Sequence, residues 1–185
     1  MVTIDEQTLE SLFKLGRWLT FHDFVRIIEE KHPREGPGVP REVLDAYAAA
    51  IVDDLGGFAP FTVEQMEWKL EAHVAADGVW EKSSLFEVGP GRISVFPVHW
   101  HARLHDETDP REYVAVMRDD LVSSPDSPAS RQRLPRVPKQ YLLDAMVILG
   151  GLDRREATGI VNDARKRGEV VLYPFQNPDA EVLLR

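Results

Sequence analysis

Two stretches of the chain, roughly a hundred residues apart, open alike, and a repeat at a long fixed spacing implies two related structural units. Val39-Pro40-Arg41-Glu42-Val43-Leu44-Asp45-Ala46-Tyr47 returns as Val137-Pro138-Lys139-Gln140-Tyr141-Leu142-Leu143-Asp144-Ala145-Met146, with one residue inserted. The later copy is the easier to follow. A helix from Lys139 buries Leu142, Leu143, Met146 and Leu149, and Gly150-Gly151 turns the chain. Asp153 caps a second helix, with Glu156 closing a capping box. Ala157, Ile160, Val161 and Ala164 recur at i, i+3, i+4 and i+7, the spacing of one inward helical face. Gly168 ends that helix. Glu169–Pro174 and Ala180–Leu184 then read as strands about a Gln176–Asp179 turn. Upstream, Asp109-Pro110-Arg111-Glu112 starts another helix, whose apolar stripe is Tyr113, Val114, Met117 and Leu121.

The earlier copy has the same grammar. A helical pattern runs from Gln7 to Lys31 through Leu9, Leu12, Phe13, Leu19, Phe24, Ile27 and Ile28. Gly16 and an N-cap at Thr20 divide it. After a loop at His32–Gly38, Pro40 suits the first turn of a helix carrying Val43, Leu44, Tyr47, Ala48 and Ile51. Thr62 and Gln65 form a capping box for a third helix, which buries Val63, Met66, Leu70 and Val74 and stops at Gly78. Val79–Glu87 and Arg92–Trp100 read as strands around Gly89-Pro90-Gly91.

Helix, tight turn, helix and hairpin together are the back half of a winged helix. The expected fold is therefore mostly α with β-hairpin wings (α+β), as tandem winged-helix domains. Residues 1–108 form the first and 109–185 the second, with a flexible basic loop at 123–136.

Composition narrows the function. The chain of 185 residues is 43% apolar, enough for a core in each unit, and has no cysteine for disulfides or thiolate metal sites. It has neither a transmembrane-length apolar run nor a signal-peptide pattern, so a cytoplasmic protein with no membrane partner is expected. The net charge of −9 argues against a surface that binds polyanions throughout, but the charge is uneven. Residues 129–168 carry 9 Lys+Arg against 4 Asp+Glu, whereas residues 1–128 carry 12 against 24. The excess of arginine over lysine, 16 to 6, fits a halophilic archaeal source and equally a GC-rich genome.

Candidate nucleic-acid contacts fall in the basic segment. Arg131, Arg133, Arg136 and Lys139 form an arm suited to phosphate, or a linker kept soluble by charge. Arg154, Arg155, Thr158, Asn162, Arg165 and Lys166 lie opposite the apolar stripe of their helix, with Arg167 beyond. Arginine suits phosphates and guanine edges, and asparagine suits adenine. Lys166 and Arg167 would also complement the helix dipole, and Asp163 interrupts the face. The corresponding helix of the first unit carries Glu64, Glu67, Glu71 and a single Lys69, which phosphates would repel. That acidic unit is expected to meet protein, or to make no contact, with Trp68 on the polar face as the candidate contact residue. Trp18, Trp80 and Trp100 are expected in core or interface packing.

One cluster has the residue types of a metal site. On a strand, His99, His101 and, if the strand ran far enough, His105 would share a face and offer imidazoles to zinc. The alternative is a strand end with packed or solvated histidines. His73 is expected as a packed residue, and His22 and His32 are isolated. No cofactor is expected.

The run Val137-Pro138, apolar helix, Gly151-Leu152-Asp153, helix, Arg165-Lys166-Arg167-Gly168-Glu169-Val170 and Tyr173-Pro174 resembles the C-terminal winged helix of archaeal minichromosome maintenance helicases. The resemblance implies the fold and an association with DNA transactions. It implies no helicase activity, since no G-x-x-x-x-G-K-[ST] motif is present. The expected function is that of a non-enzymatic DNA-associated protein of transcription or replication, touching DNA through the C-terminal unit. The alternative is a protein–protein adaptor built from tandem winged helices.

Overall fold

The computed structural model describes residues 2–33, 35–75, 80, 83–123, 136–174 and 180–185. It is a mixed α+β protein with two small antiparallel sheets of three strands each. The chain divides into two compact units. One comprises residues 1–78 and 82–98, and the other residues 79–81 and 99–185.

In the first unit, helices α1 (Glu6–Leu15) and α2 (Phe21–Lys31) are separated by a 3-10 turn at Gly16–Trp18. The turn forms because Gly16 adopts φ +49°, in the left-handed region, and Thr20 restarts the helix by accepting from the Asp23 amide at 3.1 Å. Strand β1 (Val39–Pro40) leads directly into α3 (Arg41–Leu55), and α4 (Val63–His73) follows with the Thr62–Gln65 capping box formed. Strands β2 (Phe86–Gly89) and β3 (Arg92–Ser94) complete a sheet of order β1-β3-β2. Phe24, Ile28, Leu44, Tyr47, Ile51, Met66 and Leu70 pack its core. Arg92 secures the approach to β1 by donating to the carbonyls of Glu35, Pro37 and Gly38 at 2.6–2.8 Å.

The expected hairpin is present but shorter than its sequence pattern. Strand β3 ends at Ser94 instead of running to Trp100, for a local reason. The Val95 amide donates to the buried Glu29 carboxylate at 2.9 Å, and the Phe96 amide donates to the Ser94 hydroxyl at 3.0 Å. Both amides are thus diverted from a sheet ladder. Pro97 has no amide hydrogen to offer, and a helix, α5 (Val98–Leu104), begins after it. The other strand starts at Phe86; Leu85 makes only an isolated parallel bridge to Val74.

In the second unit, α6 (Pro110–Ser123) starts where the Asp109-Pro110 signature places it. Strand β4 (Val137–Pro138) leads into α7 (Lys139–Ile148), and Asp153 caps α8 (Arg154–Lys166) by accepting from the Glu156 amide at 2.8 Å. Strands β5 (Val170–Tyr173) and β6 (Glu181–Leu184) pair with β4 in the order β4-β6-β5. Each unit thus has the same succession of strand, helix, helix and two strands, with the first strand beside the last. The match extends to single bonds. The amide after each Val-Pro strand donates to the carbonyl ahead of the last strand, Arg41 to Gly91 at 2.9 Å and Lys139 to Ala180 at 2.8 Å. Trp80 belongs to the second unit, where its ring stacks on Trp100 and meets Tyr141 edge-on.

His32 gives the first unit a pH dependence. Its Nδ1 lies 3.0 Å from the Tyr47 hydroxyl, which also accepts from the Asp5 amide at 2.9 Å. Burial pushes the imidazole below its ordinary range, only partly opposed by the Asp5 carboxylate. The unfolded chain therefore takes up this proton first. Stability is complete above the ordinary histidine range near pH 6.5 and falls as pH drops through it toward the folded value. Chemical denaturation between pH 8 and pH 5 should show that fall, and His32→Gln should flatten it.

Candidate nucleic-acid interface

Helix α8 buries Ala157, Val161 and Ala164. At 100° per residue, the direction opposite those three is occupied by Arg155, Gly159, Asn162 and Lys166. These four form one line along the helix at i, i+4, i+7 and i+11. Arg155, Gly159 and Lys166 are exposed and Asn162 is half-buried. Arg154, Thr158 and Arg165 lie instead on the flank of the helix.

Arg154 is tied inward. Its guanidinium pairs with the Asp144 carboxylate on α7 and donates to Gln140 Oε1 at 2.7 Å. Asp144 is only 6% exposed while the Arg154 side chain is partly exposed, so this ion pair joins the two helices from the surface inward. Thr158 returns its hydroxyl proton to the Arg154 carbonyl at 2.7 Å. Lys166 remains outward but leans on Asp163 at 2.9 Å, which holds the Asp163 carboxyl below the ordinary carboxylate range. Arg167 forks onto Glu169 at 2.8–2.9 Å. Arg155 has no ion pair among the described residues.

The arm divides in the same way. Arg136 pairs with Glu181 at 2.9 Å and lies over the Tyr173 ring, so it braces the sheet. Lys139 is half-buried at the start of α7 and makes no ion pair among the described residues. Arg131 and Arg133 lie outside the described residues.

Gly159 is a residue for which the fold gives no reason. It sits in the middle of α8, facing solvent, and a methyl group built on it would meet nothing within 4 Å. Glycine in a helix interior is less favourable than alanine by about 0.8–1.0 kcal/mol. Gly159→Ala should therefore stabilise the second unit by roughly 0.5–1 kcal/mol, seen as a rise of a few degrees in Tm. Between Arg155 and Asn162, the missing side chain leaves the helix backbone open to close approach.

The histidines do not assemble. His99 and His101 stand on α5, where a separation of two residues turns them to nearly opposite sides of the helix instead of one face of a strand. His99 Nε2 meets the Asp120 carboxylate at 3.0 Å, and the same carboxylate accepts from the Trp100 indole at 2.8 Å. His101 is buried, and His105 lies in the turn beyond, beside Asp106 at 2.9 Å. No group of three metal-ligating side chains occurs among the described residues. His73 is exposed and not packed as expected: its ring meets Phe21 edge-on and its Nδ1 lies 2.8 Å from the Lys69 carbonyl oxygen.

In the first unit, α4 turns Glu64, Glu67, Trp68 and Glu71 to solvent, with Trp68 65% exposed. Sequence patterning places these residues correctly. It does not foresee the exposure of Trp18, which lies beneath the Arg17 guanidinium, or of Phe58. Both follow a helix-ending glycine, Gly16 and Gly56, where apolar periodicity no longer reports burial.

Neither the sequence nor the fold finds a match among protein-family models, curated proteins or solved structures. No helix among the described residues is long and apolar enough to cross a membrane.

Proposed function

We propose that the chain is a non-enzymatic, DNA-associated protein of transcription or replication, built from two winged helices in tandem. Its second unit meets DNA through α8. The observation that carries this reading is the outward line Arg155, Gly159, Asn162 and Lys166. It lies on the third helix of a strand–helix–helix–hairpin unit, the element that a winged helix lays in the major groove. Arg155 and Lys166 supply phosphate contacts, Asn162 offers a bidentate amide to a base edge, and Gly159 lets the backbone of α8 come close. The positive balance of residues 129–168 supports the same assignment.

Amide NMR of the full chain, titrated with a short duplex, tests the placement. Shifts should concentrate at Arg155, Gly159, Asn162 and Lys166, and Gly159→Ala should weaken binding while raising stability. Shifts confined to the first unit, or none, would refute the assignment.

A second reading, that of a protein–protein adaptor, is favoured by α4. Its acidic face repels phosphate and centres on an exposed tryptophan.

A further inference from the structure

Counted from their N-caps, α4 and α8 carry opposite chemistry at equivalent places. Thr62 matches Asp153, so Glu64 stands where Arg155 does, Trp68 where Gly159 does, and Glu71 where Asn162 does. The outward line of the first unit is thus an indole with a glutamate one turn before it and another one turn after, and Glu67 beside it.

Some acids on the helices of this chain are paired within their own helix, whereas others, such as Glu6, Asp53 and Asp54, have no ion pair among the described residues. Glu10 is neutralised by Lys14 at 3.1 Å, Glu30 by Arg26 at 3.0 Å, and Asp163 by Lys166 at 2.9 Å. Glu64, Glu67 and Glu71 have no ion pair among the described residues. Lys69 lies two residues from Glu67 and Glu71, a spacing that turns it away from both, and it is half-buried on the flank. Glutamates three and four residues apart on one helix face repel each other. The helix holds three such charges and a solvent-facing indole together, with no ion-pair partner for the glutamates among the described residues.

We infer that the outer face of α4 is a docking surface for a basic, arginine-bearing polypeptide segment of a protein partner. The inference rests on the adaptor reading and names its partner class. An arginine guanidinium laid on the Trp68 ring gains the attraction of its π face, and carboxylates at either end of the indole receive neighbouring guanidinium groups as charge-assisted hydrogen bonds. Charge complementarity selects this occupant. An acidic or phosphate-bearing partner would be repelled, and an apolar segment would leave the glutamates unanswered and partly desolvated.

The test uses the full chain and a fluorescein-labelled peptide of arginines interspersed with glycine and serine, read by fluorescence anisotropy. The peptide should bind, and its counterpart with citrulline in place of arginine should not. Trp68→Ala should weaken binding about tenfold, with Trp68→Phe recovering part of the loss. Glu67→Gln should weaken binding, whereas Glu10→Gln, which removes the same charge from α1, should not. All three positions are exposed, so thermal unfolding should confirm that each variant folds.

The inference is overturned if the peptide does not bind, if Trp68→Ala has no effect, or if Glu10→Gln matters as much as Glu67→Gln. It is also overturned if sedimentation shows a self-associated wild type that Trp68→Ala renders monomeric, since a second copy would then cover the face. Duplex binding by the second unit is measured with a different probe, so failure of either assignment leaves the other standing.

Discussion

Gly150→Ala should destabilise the second unit by about 3 kcal/mol, combining overpacking with damage to a buried hydrogen bond. The added methyl would sit 2.5 Å from the Tyr113 hydroxyl, 2.6 Å from the Glu107 carbonyl oxygen and 2.7 Å from that of Met146. Two of these neighbours are backbone, so no rotamer change makes room. The third, buried Tyr113, donates its proton to the Glu107 carbonyl at 2.7 Å, and the methyl would drive into that bond. Burial has already raised the phenol above its ordinary range, so ionisation offers no relief. Its neighbour provides the control. Gly151 has φ +68° but open space around it, so Gly151→Ala adds only left-handed backbone strain, about 1–2 kcal/mol. Urea denaturation of both variants decides the matter. A Gly150→Ala loss no larger than that of Gly151→Ala would mean that the turn relaxes and packing does not dictate the glycine.

Arg154→Ala should cost about 2 kcal/mol in stability, less than breaking a fully buried ion pair because the guanidinium is partly exposed. Asp144, itself buried, would lose this guanidinium, and Gln140 would lose one donor. The pair fixes α8 against α7, so the loss should appear as a lowered Tm of the unit. Replacing both partners removes the buried carboxylate along with its guanidinium. Arg154→Ala with Asp144→Leu should therefore be more stable than Arg154→Ala alone, giving a coupling that a double-mutant cycle reads directly. If the loss in the double variant equals the sum of the losses in Arg154→Ala and Asp144→Leu, the two side chains act independently and the bridge has no structural role. Any change in DNA affinity on Arg154→Ala must be read against this stability loss, which makes Arg155 the cleaner probe of contact.

The architecture was largely legible in the sequence because local signals agreed with one another. Thr20, Thr62, Asp109 and Asp153 each cap or open a helix as their patterns indicate. The repeated Val-Pro proves to be the first strand of each sheet, with proline as the N-cap of the helix that follows. The echo itself was misaligned. Counting from the two prolines, the helices correspond without any insertion. Asp144 then matches Ala46, and the Asp-Ala pair that the two stretches share is displaced by one residue. The helix α5 was hidden because its cause is remote. Val95 leaves the ladder for Glu29, a residue far earlier in the chain, and no local pattern announces such a partner. At the candidate interface, periodicity separated inward from outward on α8 but could not tell flank from front. Arg154 and Arg155 are adjacent in sequence, yet one pairs with a buried carboxylate and the other faces solvent; the Asp144 partner on a different helix decides between them.

The most direct test of DNA association is fluorescence anisotropy of a labelled duplex with the full chain across a salt series, repeated with Arg155→Ala combined with Lys166→Ala. The wild type should bind at low salt, with log K falling linearly against log salt concentration. The double variant should bind more weakly and with a slope shallower by about 2, one for each phosphate contact removed. No binding at any salt, or a double variant whose affinity and slope equal those of the wild type, would contradict the assignment of α8 as the DNA-contacting helix.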